Sequence, residues 1–203
     1  IGEIVNYLLK TTEDGAVILD LCAAPGGKST HISSILRDGD LLVANEVIAS
    51  RNAILYENLA KWGNGNAVIT RADSIQFRPL EDTFDIIACD APCSGEGMFR
   101  RSESVQDEWS LANVKLCSER QQRIVIDCWN SLKPGGYFIY STCTYNSIEN
   151  EDNIRLFMNL FGAELIKISL PGSDNLFELE ENMYRCFPHR TKGEGLFFAV
   201  LKK

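Results

Sequence analysis

The sequence predicts an α/β fold in which a mostly parallel, seven-stranded sheet carries helices on both faces. Short apolar runs that end in an acid alternate with helical stretches, and glycine or proline marks the boundaries between them. Parallel strands need a crossover between them, so this alternation favours a parallel sheet. The seven strands are predicted at residues 16–21, 41–44, 67–70, 84–89, 137–140, 163–170 and 196–201.

The helices follow from apolar spacing and from their stop signals. In residues 49–62, Leu55, Leu59 and Trp62 recur at helical spacing and Gly63 ends the pattern. Gln121 interrupts the apolar face of the long helix at 114–132, and the sequence offers no reason for it. The other helices are predicted at residues 4–10, from the loop after the first strand to about 36, and from about 147 to 161, and residues 171–195 form a long irregular segment.

Composition narrows the class of protein. The chain has 203 residues, 20 basic and 28 acidic, for a net charge of −8, which counts mildly against a polyanionic partner while leaving a local basic patch open. Seven cysteines at irregular spacing, without a C-x-x-C pair, indicate free thiols in a reducing, cytoplasmic compartment. No apolar run approaches the roughly 18 residues of a membrane span, so we expect no membrane contact.

Chemically useful side chains close five successive strands. Each acid alone could be a turn former or a helix cap, but the series indicates a ligand-binding edge, because the carboxyl ends of parallel strands meet at one edge of the sheet. After the first strand comes a glycine loop that does not fit G-x-G-x-x-G, and an acid closing the second strand suits a ribose diol. These strand-end residues are Asp20, Glu46, Asp73, Asp90 and Cys143.

A phosphate-binding loop is the alternative interpretation. GGKST and IIACD resemble parts of P-loop NTPases, so a nucleotide-binding ATPase or regulatory module remains a second hypothesis. The pattern requires glycine where this chain has Cys22, and Pro25 removes a backbone donor that the phosphate cradle needs. The match therefore fails where the phosphates would bind.

Four blocks of sequence resemble one family. DLCAAPGGKST (20–30), DAPCSGEGMFRR (90–101), STCT (141–144) and the closing RCFPHRTKGEGLFFAVLKK are similar to the signature blocks of the RsmB/NOP (Sun) family of S-adenosylmethionine-dependent RNA cytosine-5 methyltransferases. The resemblance covers nearly the whole chain in the right order. The GEGMFRR continuation is most similar to the RsmF-like bacterial branch, which modifies small-subunit ribosomal RNA.

The resemblance implies a Rossmann-like class I methyltransferase fold with S-adenosyl-L-methionine as cofactor. It also implies an RNA substrate, ribosomal rather than transfer RNA, and a monomer that needs no metal. We expect residues 1–203 to be a single catalytic domain of a longer protein whose RNA-binding regions are missing, because Ile1 already lies in a helical stretch.

The resemblance also assigns roles to individual residues. Glu46 would bind the ribose hydroxyls, Asp73 would lie near the adenine, and Asp90 would lie beside both cofactor and target base. Cys143 would be the nucleophile and Cys93 would assist product release, whereas the pattern alone favours Cys93 as nucleophile. The methionine end of the cofactor would be wrapped by Cys22, Ala23, Ala24, Pro25, Gly26, Gly27 and Lys28.

The chemistry explains why such residues are needed. Carbon 5 of cytosine becomes nucleophilic only after a thiolate adds to carbon 6 while an acid protonates nitrogen 3. Since an ordinary thiol is only a few per cent thiolate near neutrality, we expect the helix start at Ser147 and the positive cofactor to favour the thiolate of Cys143. Asp90, at the end of a buried strand, could keep a proton through desolvation and donate it.

Several other residues have a structural and a functional interpretation. Arg100, Arg101 and Lys28 could contact phosphates, although a solvated pair is an equal alternative for the two arginines. Packing is the preferred interpretation for the remaining cysteines and the tryptophans, and a structural one for His189 with Cys186, because no second pair of metal ligands is in reach. The residues predicted to pack are Cys89, Cys117, Cys128, Trp62, Trp109 and Trp129.

Overall fold

A computed structural model describes residues 1–169, 177–178, 182–190 and 193–203. The chain divides into two compact units. The first comprises residues 1–90, 126–139 and 203, and the second comprises residues 91–125 and 140–202. Among the described residues, no helix is both long and apolar enough to cross a lipid bilayer.

The first unit contains the early strands and helices. Its helices are α1 (Gly2–Leu9), α2 (Gly27–Ile35) and α3 (Ala49–Trp62), and its strands are β1 (Val17–Asp20), β2 (Leu41–Asn45), β3 (Ala67–Thr70), β4 (Phe84–Asp90) and the beginning of β5 (Leu132–Thr142). The second unit contains α4 (Glu103–Glu108), most of α5 (Leu111–Cys128), α6 (Glu151–Phe161), the end of β5, β6 (Glu164–Leu165), β7 (Phe177–Glu178), β8 (Tyr184–Cys186) and β9 (Leu196–Lys202).

In the first unit the strand order is β3-β2-β1-β4-β5. β1 pairs in parallel with both β2 and β4, and β2 pairs in parallel with β3. Ile18, Leu42 and Ile86 are fully buried, as expected for strands covered on both faces. Because β2 lies on one side of β1 and β4 on the other, the chain reverses direction across the sheet at β1, and open α/β sheets bind ligands at such a point.

In the second unit the strand order is β5-β9-β8-β7, with β6 also beside β9. β9 pairs antiparallel with β6 and β8, and β8 pairs antiparallel with β7. The ring of Tyr140 packs edge-on against Phe157 and Phe197 at centroid distances of 5.8 and 6.4 Å. The sheet is therefore mixed, and its antiparallel strands lie in this unit.

The second unit contains more strands than the sequence predicts. In the part of the chain that the structure describes there are nine strands rather than seven, because β7 and β8 form within the segment predicted as irregular, parts of which lie outside the described residues. β8 pairs antiparallel with β9, and β7 pairs antiparallel with β8, so both depend on partners that local pattern does not reveal. β6 covers only two residues of the predicted 163–170.

Two helix boundaries also differ from prediction. α5 ends at Cys128, a 3-10 turn follows, and β5 begins at Leu132 rather than at 137. α6 begins at Glu151 rather than near Ser147, because residues 147–150 form a turn, and the Ser147 carbonyl accepts from the N–H groups of Asn150 and Asp152. α4 was not predicted. The helix start invoked beside Cys143 therefore lies four residues further along the chain.

Candidate active site: a glycine loop and a cysteine pair

The loop between β1 and α2 borders a cavity in the first unit. The cavity has a volume of about 320 Å³. Gly26 adopts a left-handed φ of 112°, and a β-carbon there would lie 3.2 Å from the Leu55 side chain, so glycine suits both the turn and the packing. The Asn58 amide also donates to the Pro25 carbonyl at 2.7 Å. The lining residues are Cys22, Ala23, Ala24, Pro25, Gly27, Lys28 and Asp90.

Lys28 and Asp90 form an ion pair at the rim of this cavity. Lys28 Nζ lies 2.7 Å from Asp90 Oδ2, and the Asp90 side chain is 31% exposed. The carboxylate of Asp90 is thus partly open to solvent and paired with a cation. Asp90 is therefore an acid at the rim of the cavity that can hold a positive group.

Asp20, at the end of β1, is a buried acid beneath the loop. Its side chain accepts a hydrogen bond from Ser29 Oγ at 2.6 Å and only 1% of the residue is exposed. Burial raises the pKa of Asp20 to about 6, although the Ser29 hydrogen bond acts in the opposite direction. The sequence marks Asp20 as a strand end but assigns it no role at the site.

Glu46 and Asp73 lie in the same unit but do not line the cavity. Glu46 is buried and its Oε2 lies 3.6 Å from Arg51 Nη2, which also donates to the Ala24 carbonyl at 2.9 Å. One arginine thus links Glu46 to the glycine loop. Asp73 accepts a backbone hydrogen bond at the start of a 3-10 turn, Ser74–Phe77, so the capping role considered for the strand-end acids is present there.

The second unit brings Cys93 and Cys143 together. Their sulfur atoms lie 3.3 Å apart in a hydrogen bond, although 50 residues separate them in the chain, and both are free thiols. The hydrogen bond with Cys143, together with burial, raises the pKa of Cys93 well above that of an ordinary thiol. Either sulfur can donate in this hydrogen bond, and the raised pKa of Cys93 favours Cys93 as the thiol that keeps its proton.

Backbone contacts tie the two cysteine segments to each other. Ala91 N–H donates to the Ser141 carbonyl, and Gly97 N–H donates to the Cys143 carbonyl, each at 2.8 Å. A β-carbon at Gly97 would lie only 2.5 Å from the Cys143 carbonyl oxygen. The second glycine of GEG is thus required by close backbone approach.

Two carboxylates that the sequence analysis did not assign to the site flank the cysteine pair. Glu96 accepts hydrogen bonds from the backbone N–H groups of Tyr145 and Asn146 at 2.6 and 2.9 Å. Burial acts to raise the pKa of Glu96, but these and further hydrogen bonds outweigh it and lower the pKa. Glu149, which falls in the first turn of the helix predicted from about 147, instead precedes α6 and accepts from Ser94 and Gln121. The break in the apolar face at Gln121 was the only sequence signal.

Arg100 and Arg101 line a different cavity of about 650 Å³ in the second unit. Arg101 pairs with Glu194 at 2.9 Å with 65% of its side chain exposed, so a solvated arginine remains a valid description. The other lining residues are Phe99, Ser102, Glu103, Ser104 and Gln106.

The residues assigned to packing divide into two groups. Four of them are buried as predicted, namely Cys89, Cys117, Cys128 and Trp129, with exposures of 1%, 4%, 0% and 4%. Packing was the wrong prediction for the other two, because Trp62 is 52% exposed and Trp109 is 39% exposed. His189 packs against the Phe187 ring at 5.4 Å. Within the described ranges, no group of three or more histidine, cysteine or acidic residues is arranged to hold a metal ion.

The parallel sheet, the glycine loop after β1 and the acid after β2 define a Rossmann-like methyltransferase fold. NSun6 from Pyrococcus horikoshii, in a structure solved with the S-adenosylmethionine analogue SFG, superposes with a TM-score of 0.80 at 29% identity, covering 100% of this chain and 51% of that one. The model of the 16S rRNA methyltransferase RsmB/F family matches residues 6–202. The chain belongs to this family.

The curated relatives include enzymes for two kinds of RNA. Ribosomal RNA small subunit methyltransferase F of Vibrio parahaemolyticus is 35% identical over 98% of this chain and 42% of its own length. The tRNA (cytosine(49)-C(5))-methyltransferase of Pyrococcus abyssi is 34% identical over 92% of this chain and 63% of its own length. The chain thus spans less than two thirds of either relative. The predicted family, fold and S-adenosylmethionine cofactor are confirmed.

Proposed function

We propose that this chain is the catalytic part of a cytoplasmic RNA cytosine-5 methyltransferase that uses S-adenosylmethionine and acts on small-subunit ribosomal RNA. The observation that carries the proposal is the contact of Cys93 with Cys143, because a reaction that forms and then breaks a cysteine–base bond needs a nucleophile and a helper. The relatives named above support RNA as substrate, and further ribosomal RNA small subunit methyltransferases F at 34% identity favour ribosomal RNA.

Cys143 is the proposed nucleophile. Its thiolate adds to carbon 6 of cytosine while nitrogen 3 takes up a proton, which makes carbon 5 nucleophilic toward the methyl group that the bound cofactor would supply. Removal of the proton from carbon 5 restores the ring double bond, breaks the carbon–sulfur bond and returns the thiolate as nitrogen 3 gives up its proton. Cys93, the hydrogen-bond partner of the departing sulfur, assists this last stage.

Asp90 is the proposed group at nitrogen 3, and the structure adds a condition to its role. Because Lys28 pairs with it at 2.7 Å, Asp90 can contact nitrogen 3 only if the base binds beside Lys28 or takes its place.

The glycine-loop residues fit the methionine end of S-adenosylmethionine. The helix α2 begins at the loop that lines the cavity, and a helix start suits a carboxylate, while Asp90 at the cavity suits a positive group. Glu46, linked to the loop through Arg51, is the proposed ligand of the ribose hydroxyls, and Asp73 is the proposed neighbour of the adenine. When bound, the cofactor supplies the electrophilic methyl group.

Variants of the two cysteines test the assignment. Cys143→Ala should abolish methylation of RNA, whereas Cys93→Ala should accumulate a covalent enzyme–RNA adduct that survives a denaturing gel. An adduct that forms without Cys143 would overturn the assignment of the nucleophile. Mapping bisulfite-resistant cytosines in cells with and without the gene would show whether ribosomal or transfer RNA is modified.

Calorimetry separates this proposal from the nucleotide-binding alternative. We expect S-adenosylhomocysteine to bind and ATP to give no heat, because Pro25 lacks the N–H that a phosphate cradle uses. The opposite result would favour an ATPase or regulatory module.

A further inference from the structure

Two glutamates connect the cysteine segments in opposite directions. Glu96 belongs to the segment after Cys93 and accepts hydrogen bonds from the backbone N–H groups of Tyr145 and Asn146, which follow Cys143. Glu149 belongs to the segment after Cys143 and accepts from Ser94, which follows Cys93. Each cysteine segment thus supplies a carboxylate that binds the other.

Glu149 has all its contacts inside the protein. It is fully buried, and its carboxylate accepts from Ser94 N–H at 2.9 Å, Ser94 Oγ at 2.5 Å, Gln121 Nε2 at 2.7 Å and Asn146 Nδ2 at 2.8 Å. A buried carboxylate is costly unless its oxygens are satisfied, and four donors satisfy them here. The carboxylate of Glu149 is therefore hydrogen-bonded inside the protein and does not face solvent as an acid on a helix surface would.

The partners of Glu149 are themselves held in place. Gln121 also donates to the Pro92 carbonyl at 3.0 Å, while its oxygen accepts from Tyr140 and Asn153, each at 2.9 Å. Pro92 directly precedes Cys93, so the network holds that cysteine from both chain directions. A network whose members are all satisfied restricts the positions of its backbone segments.

We propose that Glu96 and Glu149 are positioning residues that hold the Cys93 thiol in hydrogen-bond contact with Cys143 and thereby make Cys143 the more nucleophilic sulfur. The inference rests on the proposed two-cysteine reaction and explains why the nucleophile is the second cysteine. Charge-assisted hydrogen bonds to backbone N–H groups are strong enough to fix the 3.3 Å sulfur contact. Cys93 then donates to Cys143 and stabilises its thiolate.

Alkylation with iodoacetamide under reducing conditions tests the proposal without RNA or cofactor. Mass spectrometry gives separate rates for Cys143, Cys93 and the buried Cys117, which reports opening of α5 in the same unit. In the unaltered protein Cys143 should react faster than Cys93. In Glu149→Gln the ratio of the two rates should fall by about tenfold, since an amide cannot accept from all four donors.

Glu151→Gln is the matched control. Glu151 is also buried, lies two residues away and pairs with Arg185 at 2.7 Å instead of binding a cysteine segment. This variant should lose stability and keep the ratio of the two rates. If Glu149→Gln does not fold, Glu96→Gln, whose carboxylate is only half-buried, should lower the ratio in the same direction.

An unchanged ratio in the folded glutamate variants overturns the proposal. So does a parallel rise of all three rates, because that shows general opening and not a loss of positioning. The proposed function fails separately: a protein with the expected ratios that does not methylate RNA keeps the positioning inference and loses the assigned reaction.

Discussion

Asp20→Asn should change how stability depends on pH. Asp20 is 1% exposed beneath the glycine loop, and burial raises its pKa from 3.8 to about 6. Between about pH 3.8 and about pH 6 the folded protein therefore keeps a proton on Asp20 that the unfolded chain has lost. The stability associated with the protonated acid is present at low pH and is lost as pH rises through about 6. The raised pKa corresponds to about 3 kcal/mol in the free energy of unfolding.

Urea unfolding of both proteins from about pH 4 to about pH 7.5 measures this effect. Asparagine keeps an oxygen for Ser29 and carries no charge, so the stability advantage of Asp20→Asn should grow by about 2.5 kcal/mol across the range. Asp14→Asn is the matched control, because the Asp14 side chain is 89% exposed, and its difference from the unaltered protein should stay nearly flat. A flat difference for Asp20→Asn would refute the reasoning that burial outweighs the Ser29 hydrogen bond.

Two further substitutions test the packing described above. Gly97→Ala should destabilise the protein by about 1–3 kcal/mol in urea unfolding and lower methylation, because its β-carbon would meet the Cys143 carbonyl. Gly193→Ala, which has open space around the new methyl group, should be nearly neutral. Equal effects of the two substitutions would contradict the close-approach argument. Arg37→Ala should lower the free energy of unfolding by about 2–3 kcal/mol, because it leaves the buried Asp40 without the cation that lies 3.0 Å away. Thermal unfolding that is unchanged within error would show that solvent replaces the arginine.

The order of elements in the first unit was predictable because local signals are strong there. The strands β1 to β4 are continuous apolar runs ended by polar residues, and Gly63 stops α3 where the pattern predicts, with a left-handed φ of 85°. The short strands β7 and β8 were missed, since two- and three-residue strands carry almost no periodicity and depend on their pairing, β8 with β9 and β7 with β8.

The candidate site was predicted unevenly for a similar reason. Cys93 and Cys143 were named from motifs, yet the resemblance and not the pattern chose between them. Gln121 and Glu149 were not recognised as partners, because 28 residues separate them in the chain. In the sequence, Gln121 is only a polar residue in an apolar helix face, and Glu149 is only an acid near a predicted helix start. Buried polar networks become visible only when their members are in place.

The amino-acid sequence by itself determined the alternation of strands and helices, the acids at the strand ends and the two cysteine motifs, because these depend on periodicity and on residue type within a few positions. Tertiary structure alone decided that Lys28 pairs with Asp90, that the sulfur atoms of Cys93 and Cys143 are in hydrogen-bond contact, and that Glu149 accepts from Ser94. Ion pairs and hydrogen bonds form between atoms that folding brings within about 3 Å of each other. The positions of two residues in the sequence do not show whether their side chains come that close.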